Sequence, residues 1–340
     1  MRFHESPRVI FSLILAFGLT AATGAQAHDE RWDPAGRFYF GLDVGAEYVD
    51  LAGIQGTVAG PFGLLDELGE TDETFWTESI GAVLGFADGA GLSLPDPIGE
   101  NARIELRGRY TRGDSDSSAD ILGSLAGQFS PADPTVVASI ACLCIFQARA
   151  SQETDLRTWN LDLLYRTDVE LVDGVVVTPL VGVTYTNFRL QNEFTLLATD
   201  LVAPEFVVSK LRDDTTGHYG GLALGADLRA RPMGFLEFSL GLRTDLMGVR
   251  STMQSELDEM GIELGSESDG ETDFAARVTT SLGVTLTAGP VELGLEGYAN
   301  WLSYTPYARH PLSGTDDVSH IDEGDMWGAG WRASLTLYFP

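Results

Sequence analysis

Hydrophobic and polar residues alternate with a period of two along most of the chain. Between Arg37 and Val49 the even positions are apolar from Phe38 to Tyr48, and the odd positions are mostly polar or small. Because successive side chains of a β-strand point to opposite faces, this pattern predicts a strand between two different environments. The alternation recurs in nine further segments, with apolar faces that run from Trp76 to Phe86, Ala102 to Tyr110, Trp159 to Tyr165, Val175 to Tyr185, Leu222 to Leu228, Leu236 to Leu246, Phe274 to Leu286, Val291 to Trp301 and Trp327 to Phe339.

The connections between these ten predicted strands alternate in length. Long loops are predicted at Asp50–Thr74, Gly113–Ser151, Arg189–Thr215, Val249–Thr272 and Ser303–Asp325. Shorter turns are predicted at Asp168–Gly174, Arg231–Gly234 and Thr287–Pro290, and a longer one at Asp88–Glu100. Antiparallel strands that cross a boundary show this arrangement, with tight turns on one side and elaborated loops on the other.

The first residues are typical of an export signal. Arg2 and Arg8 precede an apolar run from Val9 to Leu19, and small residues then lead to Ala25-Gln26-Ala27. A basic segment, a short apolar segment and an A-x-A site form a secretory signal peptide, and the run is too short for a membrane anchor. We therefore expect a signal peptide at residues 1–27 and a β-barrel at residues 28–340.

Two environments explain the alternation: the core of a soluble sandwich, or lipid around a membrane barrel. Export favours the barrel, and so do aromatic residues near the ends of the apolar faces, where membrane interfaces lie. These residues are Tyr48, Trp76, Phe86, Tyr110, Tyr165, Tyr185, Phe274, Trp301, Trp327 and Phe339. The predicted fold is all-β: a transmembrane antiparallel up-and-down barrel of about ten strands, with short periplasmic turns and long acidic extracellular loops.

With these features the chain resembles bacterial outer-membrane β-barrel proteins of the porin-like kind. The resemblance covers the whole mature chain and includes the aromatic-rich last strand, Trp331–Phe339, although Pro340 follows the terminal aromatic. It implies a Gram-negative outer-membrane location, contact with outer-membrane lipid and lipopolysaccharide, and insertion by the barrel-assembly machinery.

The predicted register directs a balanced set of charges to the lumen. An unpaired buried charge is costly, so opposite charges on neighbouring strands are expected to pair, and arginine suits two-pronged pairing with carboxylates. Two interpretations stay open: a packed polar core and a narrow channel with a charged constriction. The predicted lumen-lining residues are Arg103, Glu105, Arg107, Arg109, Asp162, Arg166, Asp227, Arg229, Glu237, Arg243, Asp245, Arg277, Glu292, Glu296 and Arg332, together with Arg37, Asp43 and Glu47.

The net charge of −29, from 21 basic and 50 acidic residues, argues against a nucleic-acid partner. With a balanced lumen, this charge is expected in the loops. Divalent cations bound by loop carboxylates are one hypothesis, and a solvated surface is the other. The loop acids are Asp66, Glu67, Glu70, Asp72, Glu73, Glu256, Asp258, Glu259, Glu263, Glu267, Asp269, Glu271, Asp316, Asp317, Asp322, Glu323 and Asp325.

No cofactor and no catalytic residues are predicted. Cys142 and Cys144 lie in the second long loop, where a strained disulfide and a lid over the lumen are hypotheses. His218, His310 and His320 have acidic neighbours, but no nucleophile motif is present, so we expect no enzyme. The predicted function is a narrow porin-like channel. The alternatives are a non-conducting structural or adhesin-like surface barrel and an omptin-type surface hydrolase.

Overall fold

The computed structural model describes residues 38–51, 73–87, 100–123, 146–199, 206–259, 262–309 and 320–339. These residues form ten β-strands: β1 (Phe38–Leu51), β2 (Glu73–Ala87), β3 (Glu100–Gly123), β4 (Phe146–Val172), β5 (Val175–Thr199), β6 (Phe206–Met233), β7 (Leu236–Glu259), β8 (Ile262–Ala288), β9 (Val291–Arg309) and β10 (His320–Phe339). No helix among these residues is long and apolar enough to cross a membrane.

The strands close into one antiparallel barrel in sequence order. Each strand pairs with the next, and β1 pairs with β10 from Phe38 opposite Phe339 to Leu51 opposite Met326. A closed sheet pairs its backbone groups without leaving edges, which is what a chain in lipid requires. The predicted all-β up-and-down fold of ten strands is confirmed.

Large apolar side chains on the outer face remain exposed and form a band around the barrel. Trp159, Leu240 and Leu282 are 59%, 55% and 66% exposed. Aromatic contacts mark both borders of this band, with Phe38 packed against Phe86 and Phe339 near the turns, and with Tyr48–Trp76, Tyr110–Trp159 and Trp301–Trp327 at the opposite border. We call the second set the upper aromatic girdle. An exposed apolar band between aromatic rings is the surface of a membrane-spanning barrel.

Three of the connections are shorter than predicted, because the strands continue almost to the reversal of the chain. Only two residues link β4 to β5, β6 to β7 and β8 to β9. Gly174 and Gly289 adopt φ angles of 77° and 59°, which glycine tolerates in tight hairpin turns. The predicted turn at Asp168–Gly174 therefore contracts to Asp173 and Gly174.

The predicted long loops are wrong for much of their length, because they are extended β-structure. The segments predicted as loops between 113 and 272 belong largely to β3–β8, which are 24 to 28 residues long. Lys210, predicted in a loop, lies in β6. The acidic residues predicted in loops also lie in strands where described: Glu73 in β2, Glu256, Asp258 and Glu259 in β7, Glu263, Glu267, Asp269 and Glu271 in β8, and Asp322, Glu323 and Asp325 in β10.

Above the upper aromatic girdle the barrel wall becomes uneven. The described pairing of β2 with β3 ends at Thr77 and Gly113, and that of β8 with β9 ends at Arg277 and Leu302. The six strands from β3 to β8 continue beyond this level as a wall. The end of β9 leans into the barrel. Tyr304, Thr305 and Tyr307 are buried there, and the Tyr219 hydroxyl donates to the Tyr304 carbonyl at 3.1 Å.

Several sequence predictions fall outside the described residues. They are the signal peptide at residues 1–27, Arg37, the acidic positions at 66–72, Cys142 and Cys144, His310, and Asp316 and Asp317.

Candidate functional site

The lumen is the candidate site, and the described residues predicted to line it lie on the inner face. Their positions alternate with the exposed apolar residues of the same strands, and most of their side chains form ion pairs with one another inside the barrel. These residues are Asp43, Glu47, Arg103, Glu105, Arg107, Arg109, Asp162, Arg166, Asp227, Arg229, Glu237, Arg243, Asp245, Arg277, Glu292, Glu296 and Arg332.

Asp245 is the most deeply buried acid of the lumen, at 0% exposure. It accepts a hydrogen bond from Arg243 Nε at 2.7 Å and one from Arg277 Nε at 2.8 Å. Arg243 also makes a two-pronged pair with Asp162, at 2.7 and 2.8 Å. Arg277 completes the cluster by donating to Asn160 at 3.0 Å. Two arginines thus share two carboxylates, as balanced buried pairing requires.

A second cluster surrounds Glu105, which is 4% exposed. Its carboxylate accepts from the Tyr39 hydroxyl at 2.6 Å and from Arg107 Nε at 2.9 Å. Arg166 lies 3.1 Å from the same carboxylate and reaches Asp227 at 2.7 Å. This carboxylate therefore anchors groups from β1, β3 and β4 at one point of the lumen.

Several of these pairs bridge strands that are not neighbours in the sheet. Arg109 on β3 reaches Asp43 on β1 at 2.9 Å, and Arg243 on β7 reaches Asp162 on β4. Such bridges cross the interior of the barrel. The expectation that charges pair on adjacent strands is therefore incomplete, because long arginine side chains also span the narrow lumen.

Near the short turns, polar side chains fill the other end of the lumen. Arg229 donates to Asp168 and to Thr178, and Thr178 donates to Asp168 at 2.8 Å. The Tyr338 hydroxyl donates to Glu292 at 2.7 Å. The sequence prediction did not include Asp168, because it was placed in a turn.

The upper lumen is filled by apolar side chains, which the sequence analysis missed. We call this set the apolar seal; among the described residues every strand except β3 contributes to it, β10 through Met326 alone. Phe188, Tyr219 and Tyr304 are at most 2% exposed. The seal comprises Val49, Leu51, Phe75, Leu156, Phe188, Leu190, Tyr219, Met247, Val249, Ala275, Leu302, Tyr304 and Tyr307, with Met326 packed against them.

The sequence signal for the seal is a shift of the apolar residues within one strand from odd to even positions, or from even to odd. In β5 the lipid-facing positions are odd up to Tyr185, and the next bulky apolar residues, Phe188 and Leu190, are even and buried. In β7, Leu242 and Leu246 face outward and Met247 and Val249 face inward. The strand does not end where the outward alternation ends; its apolar face changes sides.

Above the upper aromatic girdle, solvent-exposed ion pairs lie on the outer face. Burial alone would raise the pKa of Glu193, but hydrogen bonds from Lys210 and Arg212 outweigh it and hold the pKa below its usual value. Burial alone would also raise the pKa of Asp322, but hydrogen bonds from Arg309, Tyr307 and the Glu323 amide, together with the charge of Arg309, hold the pKa below its usual value. These pairs favour the charged carboxylates at neutral pH.

His218 lies on the outer face and is exposed. Its Nδ1 lies 2.8 Å from the Tyr185 hydroxyl and 3.3 Å from the Asn187 amide nitrogen. Among the residues that the structure describes, no group of three or more His, Cys, Asp or Glu side chains is arranged to hold a metal ion.

Comparison with known proteins gives likeness of shape alone. No family model matches the sequence, and a search of curated proteins finds no significant match. Outer membrane protease OmpT from Escherichia coli is 8% identical, with a TM-score of 0.45 over 89% of this chain and 97% of that one. A major outer membrane protein from Thermus thermophilus is 14% identical, with a TM-score of 0.28 over 89% and 99%. A Pseudomonas aeruginosa FadL homologue is 11% identical, with a TM-score of 0.23 over 89% and 90%.

Proposed function

We propose that this outer-membrane β-barrel is closed at rest and acts through the β-structure that it displays above the membrane. The observation that carries the proposal is the apolar seal, whose side chains meet across the lumen from nearly every strand. A hydrated ion that entered this layer would lose its water without gaining polar partners, which is costly. The charged clusters beneath the seal add a second barrier, because their arginines and carboxylates already neutralise one another.

This proposal selects the non-conducting surface barrel from the functions predicted by the sequence. The interacting surface is the wall formed by β3–β8, which extends beyond the upper aromatic girdle. Outer-membrane lipid is the proposed partner of the apolar band. Insertion by the barrel-assembly machinery and binding of divalent cations by the acidic segments stay predictions.

A narrow channel is the second candidate, and one observation favours it. The described backbone pairing between β8 and β9 stops at Arg277 and Leu302, so beyond this point β9 has a sheet neighbour only in β10. Hydrogen bonds from Tyr219 to the Tyr304 carbonyl and from the Ala276 amide to Ser303 link it to β6 and β8. This end of β9 carries Tyr304 and Tyr307 of the seal. Outward movement of this strand end would remove two aromatic side chains from the lumen, and the barrel would then conduct.

Single-channel recording in planar bilayers tests both candidates. We expect the wild-type protein to be silent and the Tyr304→Ala/Tyr307→Ala variant to conduct intermittently, because the charged clusters still narrow its lumen. The control is Tyr110→Ala/Tyr185→Ala, which removes two tyrosines from the outer face and should stay silent. Steady conductance of the wild-type protein would overturn the closed barrel and establish the channel.

We also propose that the protein acts without catalysis. His218 points away from the lumen, and its hydrogen-bonding contacts are with Tyr185 and Asn187, neither of which is a carboxylate. Purified protein should leave peptide and phospholipid substrates intact. Hydrolysis that is abolished by His218→Ala would contradict this proposal and favour the surface hydrolase.

A further inference from the structure

A row of arginines lies on the outer face directly above the upper aromatic girdle. Arg112 on β3 stands opposite Arg157 on β4, and Arg157 stands opposite Arg189 on β5. Their side chains are 55%, 39% and 45% exposed. We call these three residues the arginine row. The placement is unusual, because like charges directly opposite each other destabilise a sheet.

The carboxylates around the arginine row only partly neutralise it. Asp155 is shared, since it accepts from Arg157 Nε at 2.7 Å and from Arg112 at 3.1 Å. Arg189 pairs with Asp214 through two hydrogen bonds. Asp155 lies two residues beyond Arg157 along β4, and Asp214 stands opposite Gln191, two residues beyond Arg189. Both carboxylates are therefore farther from the lipid than the arginines they contact.

The neighbouring strands complete the charge balance at this level. Glu78 stands opposite Arg112 on β2, and Arg250 stands opposite His218 on β7. No ion pair involves Arg250 within the described part of the chain. Counting Arg250 and Asp114, which stands opposite Asp155, four arginines face four carboxylates. Asp114, Asp155 and Asp214 all lie farther from the lipid, so at the row itself three arginines face Glu78 alone.

The height of the row indicates what it meets. Arg112 and Arg157 each lie two residues beyond Tyr110 and Trp159, whose rings pack at 4.6 Å in the girdle. Two residues correspond to roughly 7 Å along a strand, and aromatic girdles mark the level of the lipid headgroups. The guanidinium groups of Arg112 and Arg157 therefore lie at the level of the phosphates of the outer leaflet, and Arg189 stands next to Arg157 in the sheet.

We propose that the arginine row binds the phosphate groups of an outer-leaflet lipid. Guanidinium groups recognise phosphate oxygens in pairs, and three adjacent strands hold these groups in a row roughly 10 Å wide. The phosphate relieves the repulsion between the arginines. The exposed apolar side chains below them, such as Trp159 and Leu161, hold the acyl chains of the same lipid. The proposal depends on the membrane position of the barrel and not on whether the lumen conducts.

Native mass spectrometry of the full barrel, refolded in phosphatidylcholine nanodiscs, tests the proposal. The probes are bis-phosphorylated lipid A, the same lipid without phosphates, and inorganic phosphate. We expect the wild-type protein to retain the phosphorylated lipid over the dephosphorylated one, and inorganic phosphate at equal concentration not to displace it. Equal retention of the two lipids would overturn the proposal, and displacement by inorganic phosphate would overturn the lipid as the ligand.

Variants locate the binding to the row. Arg112→Gln/Arg157→Gln/Arg189→Gln should weaken retention by at least about tenfold, since each cation at a charged membrane surface contributes roughly fivefold and these are partly neutralised. The control Lys210→Gln/Arg212→Gln removes two cations that lie farther out and pair with Glu193, and it should change retention by less than about twofold. Equal effects of the two variants would refute the assignment.

A variant that is expected to strengthen lipid retention keeps the test decisive if the triple variant does not fold. Asp155→Asn leaves all three arginines in place and frees two of them from their shared carboxylate. It should therefore strengthen retention of the phosphorylated lipid and leave the dephosphorylated lipid unchanged. Weaker or unchanged retention in this variant would contradict the proposal.

Discussion

The charge cluster at Asp245 allows a stringent test of the lumen. Asp245→Asn keeps the shape of the side chain and removes its charge. Arg243 retains its two-pronged pair with Asp162, whereas Arg277 is left with the neutral Asn160, Thr184 and Thr186. Removal of one member of a buried ion pair costs about 3–5 kcal/mol, and because Arg243 keeps a partner, we expect the lower end, about 3 kcal/mol.

Equilibrium unfolding in urea, followed by tryptophan fluorescence in lipid vesicles, measures this loss. The matched control is Asp214→Asn, which breaks an exposed pair with Arg189 and should cost at most about 1 kcal/mol. In addition, Arg277→Gln combined with Asp245→Asn should cost less than the sum of the single changes, because the charge left unpaired is removed. A cost for Asp245→Asn no larger than that of the control would refute the view that buried pairs hold the lumen together.

Three further predictions address packing in the lumen, the lipid face and the surface pairs. A Cβ at Gly85 would overlap the ring of Tyr39, so Gly85→Ala should lower the free energy of unfolding by about 1–3 kcal/mol, while Gly108→Ala, with open space around its Cβ, should be nearly neutral in the same urea assay. Leu240→Arg places a charge in the apolar band and should cost about 2–4 kcal/mol in vesicle-based unfolding, and a cost near zero would mean that this face does not meet lipid. Because the pKa of Glu193 is lower in the folded protein, its charge stabilises the fold at pH values above the pKa of the unfolded chain. Glu193→Gln should therefore lower the free energy of unfolding by less than about 1 kcal/mol at neutral pH, and this loss should shrink as the pH falls through the folded pKa. A loss that grows in acid would contradict the sign.

The lipid boundary made the strands and their inner faces predictable from sequence. Within the apolar band, each strand has lipid on one side and the lumen on the other, so a single parity separates the two. Leu242 and Leu246 thereby identify Arg243 and Asp245 as inward-facing. A one-residue slip would expose these charges to lipid, which fixes the register of the strand strongly.

The partners of the inward charges were not predictable in the same way. Arg243 and Asp162 are 81 residues apart in the chain, and β5 and β6 lie between their strands in the sheet. Their contact depends on the stagger of the closed barrel and on the reach of the arginine side chain. The alternation of residues along one strand carries no information about either quantity.

The outer parts of the strands were not predicted because their apolar residues shift between odd and even positions, and the surrounding solvent explains this shift. Within the membrane the outer face is apolar because it meets lipid, whereas above the membrane the outer face meets water and the interior becomes the apolar side. Tyr48 and Val49, Trp76 and Phe75, and Trp301 and Leu302 make this change between consecutive residues. The apolar seal thus begins at the level of the upper aromatic girdle.

This level also distinguishes the seal from a constriction within the membrane. A solute from outside would meet Phe188, Tyr219 and Tyr304 before it reached any lumen arginine. Because the seal is the core that stabilises the strands above the membrane, opening it disrupts the base of the displayed wall as well as closure of the lumen. Conduction and stability of the outer β-structure are therefore coupled, and a change that opens the barrel should also loosen the surface through which we propose that it acts.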